Sequence, residues 1–176
     1  MVNDSEKLIE ILKNAARDAF LELKVNYGNE VSGFALYSDS GVMSIQALGN
    51  SLRNLKHHIE EDGDDAEYYR WSVGEWDITP EQNEFFEIIN SALATESPQI
   101  SEAGFDEYRN QFFSACVNAL SQLKAEGLFK ETSSEFCLVF SASDYENPEE
   151  EVRWISLLNE KHKAKEFSEW LKSLED

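Results

Sequence analysis

VSGFALYSDSGVMSIQAL, residues 31–48, decides how the chain folds. Two apolar runs, 31–37 and 42–48, flank the polar SDSG. That pattern reads as a β-hairpin with Gly41 at a left-handed turn position. If Tyr37 faces Val42, then Leu36 faces Met43 and Phe34 faces Ile45, which builds one apolar face. Val31, Ala35 and Tyr37 leave the other face only partly polar, so both faces of the sheet are expected to be covered.

Outward from the hairpin, the apolar period becomes helical. Leu8, Leu12, Ala15, Ala19 and Leu23 make one stripe of a helix from about Ser5 to Leu23. A short helix is expected from about Asn50 to Glu61. Thr79, Pro80 and Gln82 read as cap, first position and capping-box partner of the next helix, with Phe85, Phe86, Ile89 and Leu93 on its inner face. A long helix follows from about Glu102 to Glu126, ended by Gly127 with Leu128 folding back towards Leu123. EFCLVFSAS, 135–143, is a third strand whose apolar run suits a central, doubly covered position. Asn147 and Pro148 open a helix with Val152, Ile155 and Leu158 inside. A last amphipathic segment carries Ala164, Phe167, Trp170, Leu171 and Leu174. The order predicts a single α+β domain over 1–176, a small, mainly antiparallel sheet with several helices packed on it.

The chain has 176 residues, 41% hydrophobic and 12% aromatic, enough to bury a core. Its formal net charge is -20. Such a balance argues against nucleic acid, whose phosphates need Lys and Arg, and against anionic membranes. It suits either solubility alone or the steering of a basic partner. The opening MVNDSEKLIEILKN lacks the apolar core of a secretory signal, and no window reaches the length of a membrane span. The two cysteines, Cys116 and Cys137, sit in apolar stretches and read as buried thiols of a reducing cytoplasm.

No catalytic constellation converges. His57 and Glu61 stand at i and i+4 and make at most half a metal site. Adjacent His57 and His58 point about 100° apart and cannot easily grip one ion. Cys116 lies on a helix's apolar stripe, and Cys137 alternates within a strand. G-x-S-x-G and the glycine-rich phosphate loops are absent. Carboxylate pairs carry no specificity among 35 acids. The expectation is a non-enzymatic protein without metal or cofactor.

Two acidic segments remain. Asp144, Glu146, Glu149, Glu150 and Glu151 surround a helix start, where acids complement the dipole. Glu60, Glu61, Asp62, Asp64, Asp65 and Glu67 lack that reason and form the candidate contact surface. Beside them lies YYRWSVGEWD, 68–77. Ser72 and Glu75 spell a capping box, with Trp71 and Trp76 at the two positions of a hydrophobic staple. Arg70 is placed to answer Glu75 or Asp77, or to lie on an indole. Trp71 and Trp76 complete the candidate site, as partner anchors or as walls of an aromatic pocket.

Four motifs in order carry a family resemblance: GFALYSDSG after the opening helix, RWSVGEW, ALSQLKAEGLF, and a late strand leading into SASD and SLLN. Over about residues 5–160 the chain resembles a bacterial family of unknown function, family 4303. Asn159 is followed by Glu160, where that family leads one to expect proline. The resemblance implies no enzymatic activity. It implies a small accessory protein, similar to the immunity proteins that accompany polymorphic toxins. Charge and resemblance together lead to the expectation of an acidic, cytoplasmic immunity protein that neutralises a cognate basic toxin, such as a nuclease. The alternative is a small-ligand or regulatory binding domain with a pocket near Trp71 and Trp76.

Overall fold

A computed structural model describes residues 4–62, 66–81 and 83–174. The hairpin forms the centre of the molecule, but not in the expected register. Strand β1, Val31–Asp39, pairs antiparallel with β2, Ile45–Ser51. Tyr37 faces Gln46 rather than Val42, and Leu36 faces Ala47 rather than Met43. The cause is the Asp39 carboxylate. It accepts the N–H groups of Met43 and Ser44 and the Ser44 hydroxyl, at 2.9–3.1 Å for the closest oxygen. The loop is thereby longer than a tight turn. Val42, not Gly41, takes the left-handed conformation, with φ 53°, and its side chain is buried in the core. Met43 is exposed. The register moved by an even number of residues, so Phe34, Leu36 and Ile45 still share one face.

The third strand, β3, Cys137–Ser143, runs parallel to β1, and the strand order is β2-β1-β3. The sheet is therefore mixed rather than mainly antiparallel, and β3 is an edge strand rather than a central one. The expected cover on both faces is present all the same, and it accounts for the apolar run. Leu138 and Phe140 join one core, and Cys137 and Val139 join another.

Seven α-helices surround the sheet among the described residues. They are α1 Ser5–Tyr27, α2 Leu52–Asp62, α3 Ala66–Trp71, α4 Glu84–Glu96, α5 Glu102–Glu126, α6 Pro148–Leu158 and α7 Lys161–Ser173. The larger core packs α1, α4 and α5 on one face, through Leu12, Phe20, Ile89, Phe112 and Phe113. The smaller core lies on the other face and holds Trp71, Trp76, Ile155 and Phe167. Helix α6 borders β3 and feeds both cores, Trp154 into the first and Ile155 into the second.

Local signals explain most boundaries. Asp4 caps α1, and Asn147 caps α6 by accepting the Glu150 N–H. Gly127 is left-handed at φ 88°, and Leu128 N–H donates to Leu123 O, as a Schellman motif requires. Helix α4 departs from expectation. Ile78 is bonded in both directions to Gly49, which holds Thr79 and Pro80 outside the helix. Asn83 is the actual cap, accepting the Phe86 N–H and donating to Ala15 O on α1. Gln82, the expected capping-box partner, lies outside the described residues. Asn50 and Ser51 end β2 instead of opening α2, whose Asn54 N–H is taken by the Ser51 hydroxyl.

Two asparagines close the sheet edges. Asn159, just after α6, accepts the Leu138 N–H at 2.9 Å and donates to Leu138 O at 2.7 Å. On the opposite edge, Asn90 of α4 does the same to Ile45, at 2.8 and 3.0 Å. Each carboxamide stands in for a neighbouring strand and satisfies groups that an open edge would leave to water or to another chain.

Candidate functional site

The first candidate site is a groove between α3 and α7. Its walls carry Glu67, Tyr68 and Tyr69 on one side and Glu166, Glu169 and Trp170 on the other, around about 510 Å³. The three glutamates are exposed, and Trp170 is half-buried. Leu174 sits at one end, 58% exposed. Tyr69 is held by stacking on His58 of α2, with ring centroids 3.4 Å apart and planes within 5°. The groove thus offers rigid aromatic walls rimmed by carboxylates. Lys165 answers Glu169 across one turn at 3.2 Å. Neither Glu67 nor Glu166 has an ion-pair partner among the described residues.

Of the acidic segment, only Glu67 enters this groove. Glu60 is exposed on the last turn of α2 and lines a different cleft, with Arg53, Lys56 and His57. Glu61 and Asp62 end α2, and their side chains lie outside the described residues, as do Asp64 and Asp65 altogether. Trp71 and Trp76 are 3% and 7% exposed, so neither is presented as a surface anchor. Trp71 meets Phe167 edge-on, at 5.2 Å between centroids.

The corner between these tryptophans is built differently from the expected capping box. Val73–Glu75 form a single 3-10 turn, and Ser72 makes no side-chain cap. Its carbonyl oxygen accepts the Glu75 N–H instead, at 2.9 Å. The corner is held by Asp77, whose carboxylate accepts the Ser51 N–H and hydroxyl at 2.8 and 2.7 Å. Arg70 reaches neither Glu75 nor Asp77. It pairs with the Glu135 side chain at 2.8 Å and donates to the Glu135 backbone, tying α3 to the start of β3.

Behind Trp170 lies a second, smaller cavity of about 220 Å³. It opens by the carboxyl ends of the parallel strands β1 and β3, at Tyr37, Ser141 and Ser143. Trp71, Phe167 and Trp170 line it with Glu151 of α6. Burial alone pushes the Glu151 carboxyl up to about 7. Among the described residues it has neither an ion-pair nor a hydrogen-bond partner. The buried Trp71 N–H also lacks a protein acceptor.

The family model described as domain of unknown function (DUF4303) matches residues 12–160. The chain belongs to that family. Nothing among the curated proteins and nothing among the solved structures matches it. The family match holds the hairpin, α3 and both sheet-closing asparagines. The α7 wall of the groove, with Glu166, Glu169 and Trp170, lies beyond it.

Other chemistry-bearing residues stay apart or inert. Among the described residues, no group of three or more His, Cys, Asp or Glu is arranged to hold a metal. Both thiols are buried. Burial pushes Cys137 up to about 11 and Cys116 well above its ordinary value, which disfavours the nucleophilic thiolate. No described helix is long and apolar enough to cross a membrane.

Glu166, Glu169 and Trp170 were not singled out from the sequence as site residues. The signal was available as a face: Glu166, Glu169, Trp170 and Ser173 recur at three- and four-residue steps on one helix. Read from the apolar stripe alone, Trp170 belongs to the core and its acidic neighbours count as solvated surface.

Proposed function

We propose that this protein is a non-enzymatic, cytoplasmic binding protein whose acidic surface receives a basic protein partner. One observation carries the reading. In a chain of net charge -20, the α3–α7 groove sets three exposed carboxylates around aromatic walls. Lys or Arg side chains fit such a groove twice over. Carboxylates pair with the charge, and the rings of Tyr68, Tyr69 and Trp170 accept the cation or its alkyl stem. The long-range field adds a fast encounter.

The partner named by the family resemblance is a toxin, and a toxin that grips nucleic acid exposes a basic face. The role is then that of an immunity protein: an acidic surface covers that face and keeps substrate out. The test is expression of the product of the neighbouring gene, with and without this protein. Toxicity that this protein relieves, and that returns with Glu67→Lys, Glu166→Lys and Glu169→Lys together, supports the role. Equal growth in all strains contradicts it.

The inner cavity supports a second reading, a small-ligand site. Its specific support is that Trp71, whose buried N–H is unpartnered, and Glu151, whose carboxyl has no partner among the described residues, line the same cavity. An organic cation carrying a hydrogen-bond acceptor answers both groups. A thermal-shift series of small amines and guanidines tests it, with Glu151→Gln as the control that must abolish any response.

A further inference from the structure

A third cavity lies between the end of α5, the segment leading into β3, and the start of α7. It holds about 550 Å³. Its floor is apolar, with Phe129, Phe136, Leu138 and Leu158. Its rim carries the ammonium groups of Lys124, Lys130 and Lys163, together with His162. That is unexpected in a chain where acids outnumber Lys and Arg by 35 to 15. One carboxylate, Glu160, also lies on the rim, and it pairs with His162 at 3.4 Å.

Lys163 carries the argument. Its side chain is buried, with 8% of the residue exposed. The ammonium donates to the carbonyl oxygens of Ser134, at 2.9 Å, and of Phe136. An ammonium has three N–H donors, so these two bonds leave one over. No carboxylate lies within ion-pair distance among the described residues. The nearby Glu135 is already engaged by Arg70. A buried charge without a counter-ion is costly, and burial holds this ammonium below its ordinary range. The Ser133 hydroxyl on the same rim is buried and likewise lacks a partner.

A purely structural role accounts for part of this. Lys163 ties down the carbonyls that precede β3. That leaves unexplained its third N–H, the Ser133 hydroxyl and the gathering of Lys124 and Lys130 around an apolar floor. An anion in the cavity supplies the missing counter-charge to Lys163, and a turn of the Ser133 side chain would let it accept from that hydroxyl as well. The floor adds a second feature: the edges of Phe129 and Phe136, each 8% exposed, line the cavity and give an apolar body a surface to lie on.

We propose that this cavity binds a small organic anion, with its carboxylate or phosphate head on Lys163 and Ser133 and its apolar body against Phe129 and Phe136. The site shares no lining residue with the acidic groove.

The test titrates the full chain with phenyl phosphate, benzoate, inorganic phosphate and benzyl alcohol, following the Lys163 Nζ resonance by NMR. Saturable binding of phenyl phosphate or benzoate is expected, with inorganic phosphate weaker and benzyl alcohol silent. The bound anion should raise the midpoint at which Lys163 loses its proton, which a merely structural lysine would not show. Lys124 and Lys130 are exposed, so the double variant Lys124→Glu, Lys130→Glu should fold normally and bind roughly tenfold more weakly. The proposal is overturned if neither aromatic anion saturates. It is equally overturned if the double variant binds as the parent does, or if Lys163 does not respond while binding occurs.

Discussion

Trp76 occupies the space that a side chain on Gly33 would need. A Cβ at residue 33 would lie 2.9 Å from Cη2 of Trp76 and 3.1 Å from its Cζ2. The indole therefore packs directly on the β1 backbone, next to the register shift between Val31 and Gly33. Gly33→Ala should destabilise the protein by about 1–3 kcal/mol, because neither the strand nor the buried indole can easily give way. Trp76→Phe removes the clashing atoms and leaves a smaller ring. The double variant should be less destabilised than the sum of the single ones, as measured by urea unfolding. Strict additivity would mean that the two residues are not in contact.

The asparagine pairs at the sheet edges make a second prediction. Asn159→Leu keeps the approximate volume but leaves the Leu138 N–H and O without partners. It should cost about 1–3 kcal/mol, and Asn90→Leu a similar amount through Ile45. Asn159→Leu also bares an edge strand, so it should promote self-association, read by sedimentation. A monomeric Asn159→Leu protein of parental stability would remove the edge-closing role.

Two helix starts that look alike in sequence should respond differently. Asn147 accepts the Glu150 N–H, whereas Ser72 caps nothing. Asn147→Ala is expected to cost about 1 kcal/mol and Ser72→Ala less than about 0.5 kcal/mol. Equal losses in thermal or urea unfolding would restore the capping box at Ser72.

These cases show what could be read from the residues and what could not. Helices with a strong period and a terminal signal were legible: α5 runs from Glu102 to Glu126 and ends on the Gly127 motif as expected. The hairpin was legible as a hairpin. Its register was not, because Asp39 sets the loop through side-chain bonds that alternation does not encode. The edge position of β3 was hidden for a similar reason. Helix α6 and Asn159 cover an edge that then looks, in sequence, like the middle of a sheet. At the candidate site, the acid and aromatic density around residues 60–77 covers α3, one wall of the groove. The opposing wall comes from α7, about a hundred residues away, and only the tertiary fold brings Glu166 and Trp170 to Glu67. Burial of Trp71 and Trp76 could not be read from their positions, since a staple leaves open which side faces solvent.

Glu151 predicts a pH dependence. Its carboxyl titrates at about 7 in the folded protein, against an ordinary value of 4.5. Between those two values the folded state holds a proton that the unfolded chain has lost. Stability should therefore fall as pH rises through this window and level off above about 7. Glu151→Gln removes that slope and should stabilise the protein by about 1–2 kcal/mol at pH 8, less than the full shift implies because solvent screens a partly exposed carboxyl, with little effect at pH 4. Unfolding curves across pH check it; a parental slope in Glu151→Gln would assign the effect elsewhere.

The acidic groove makes the central prediction, and one measurement tests it most directly. The product of the neighbouring gene is titrated with this protein and with its Glu67→Lys, Glu166→Lys, Glu169→Lys variant, over roughly 50–200 mM salt. The account predicts tight association at low salt that weakens steeply as salt rises, and its loss in the triple variant while the variant's unfolding curve stays near the parent's. No association at the lowest salt, or equal binding by the folded variant, would contradict it.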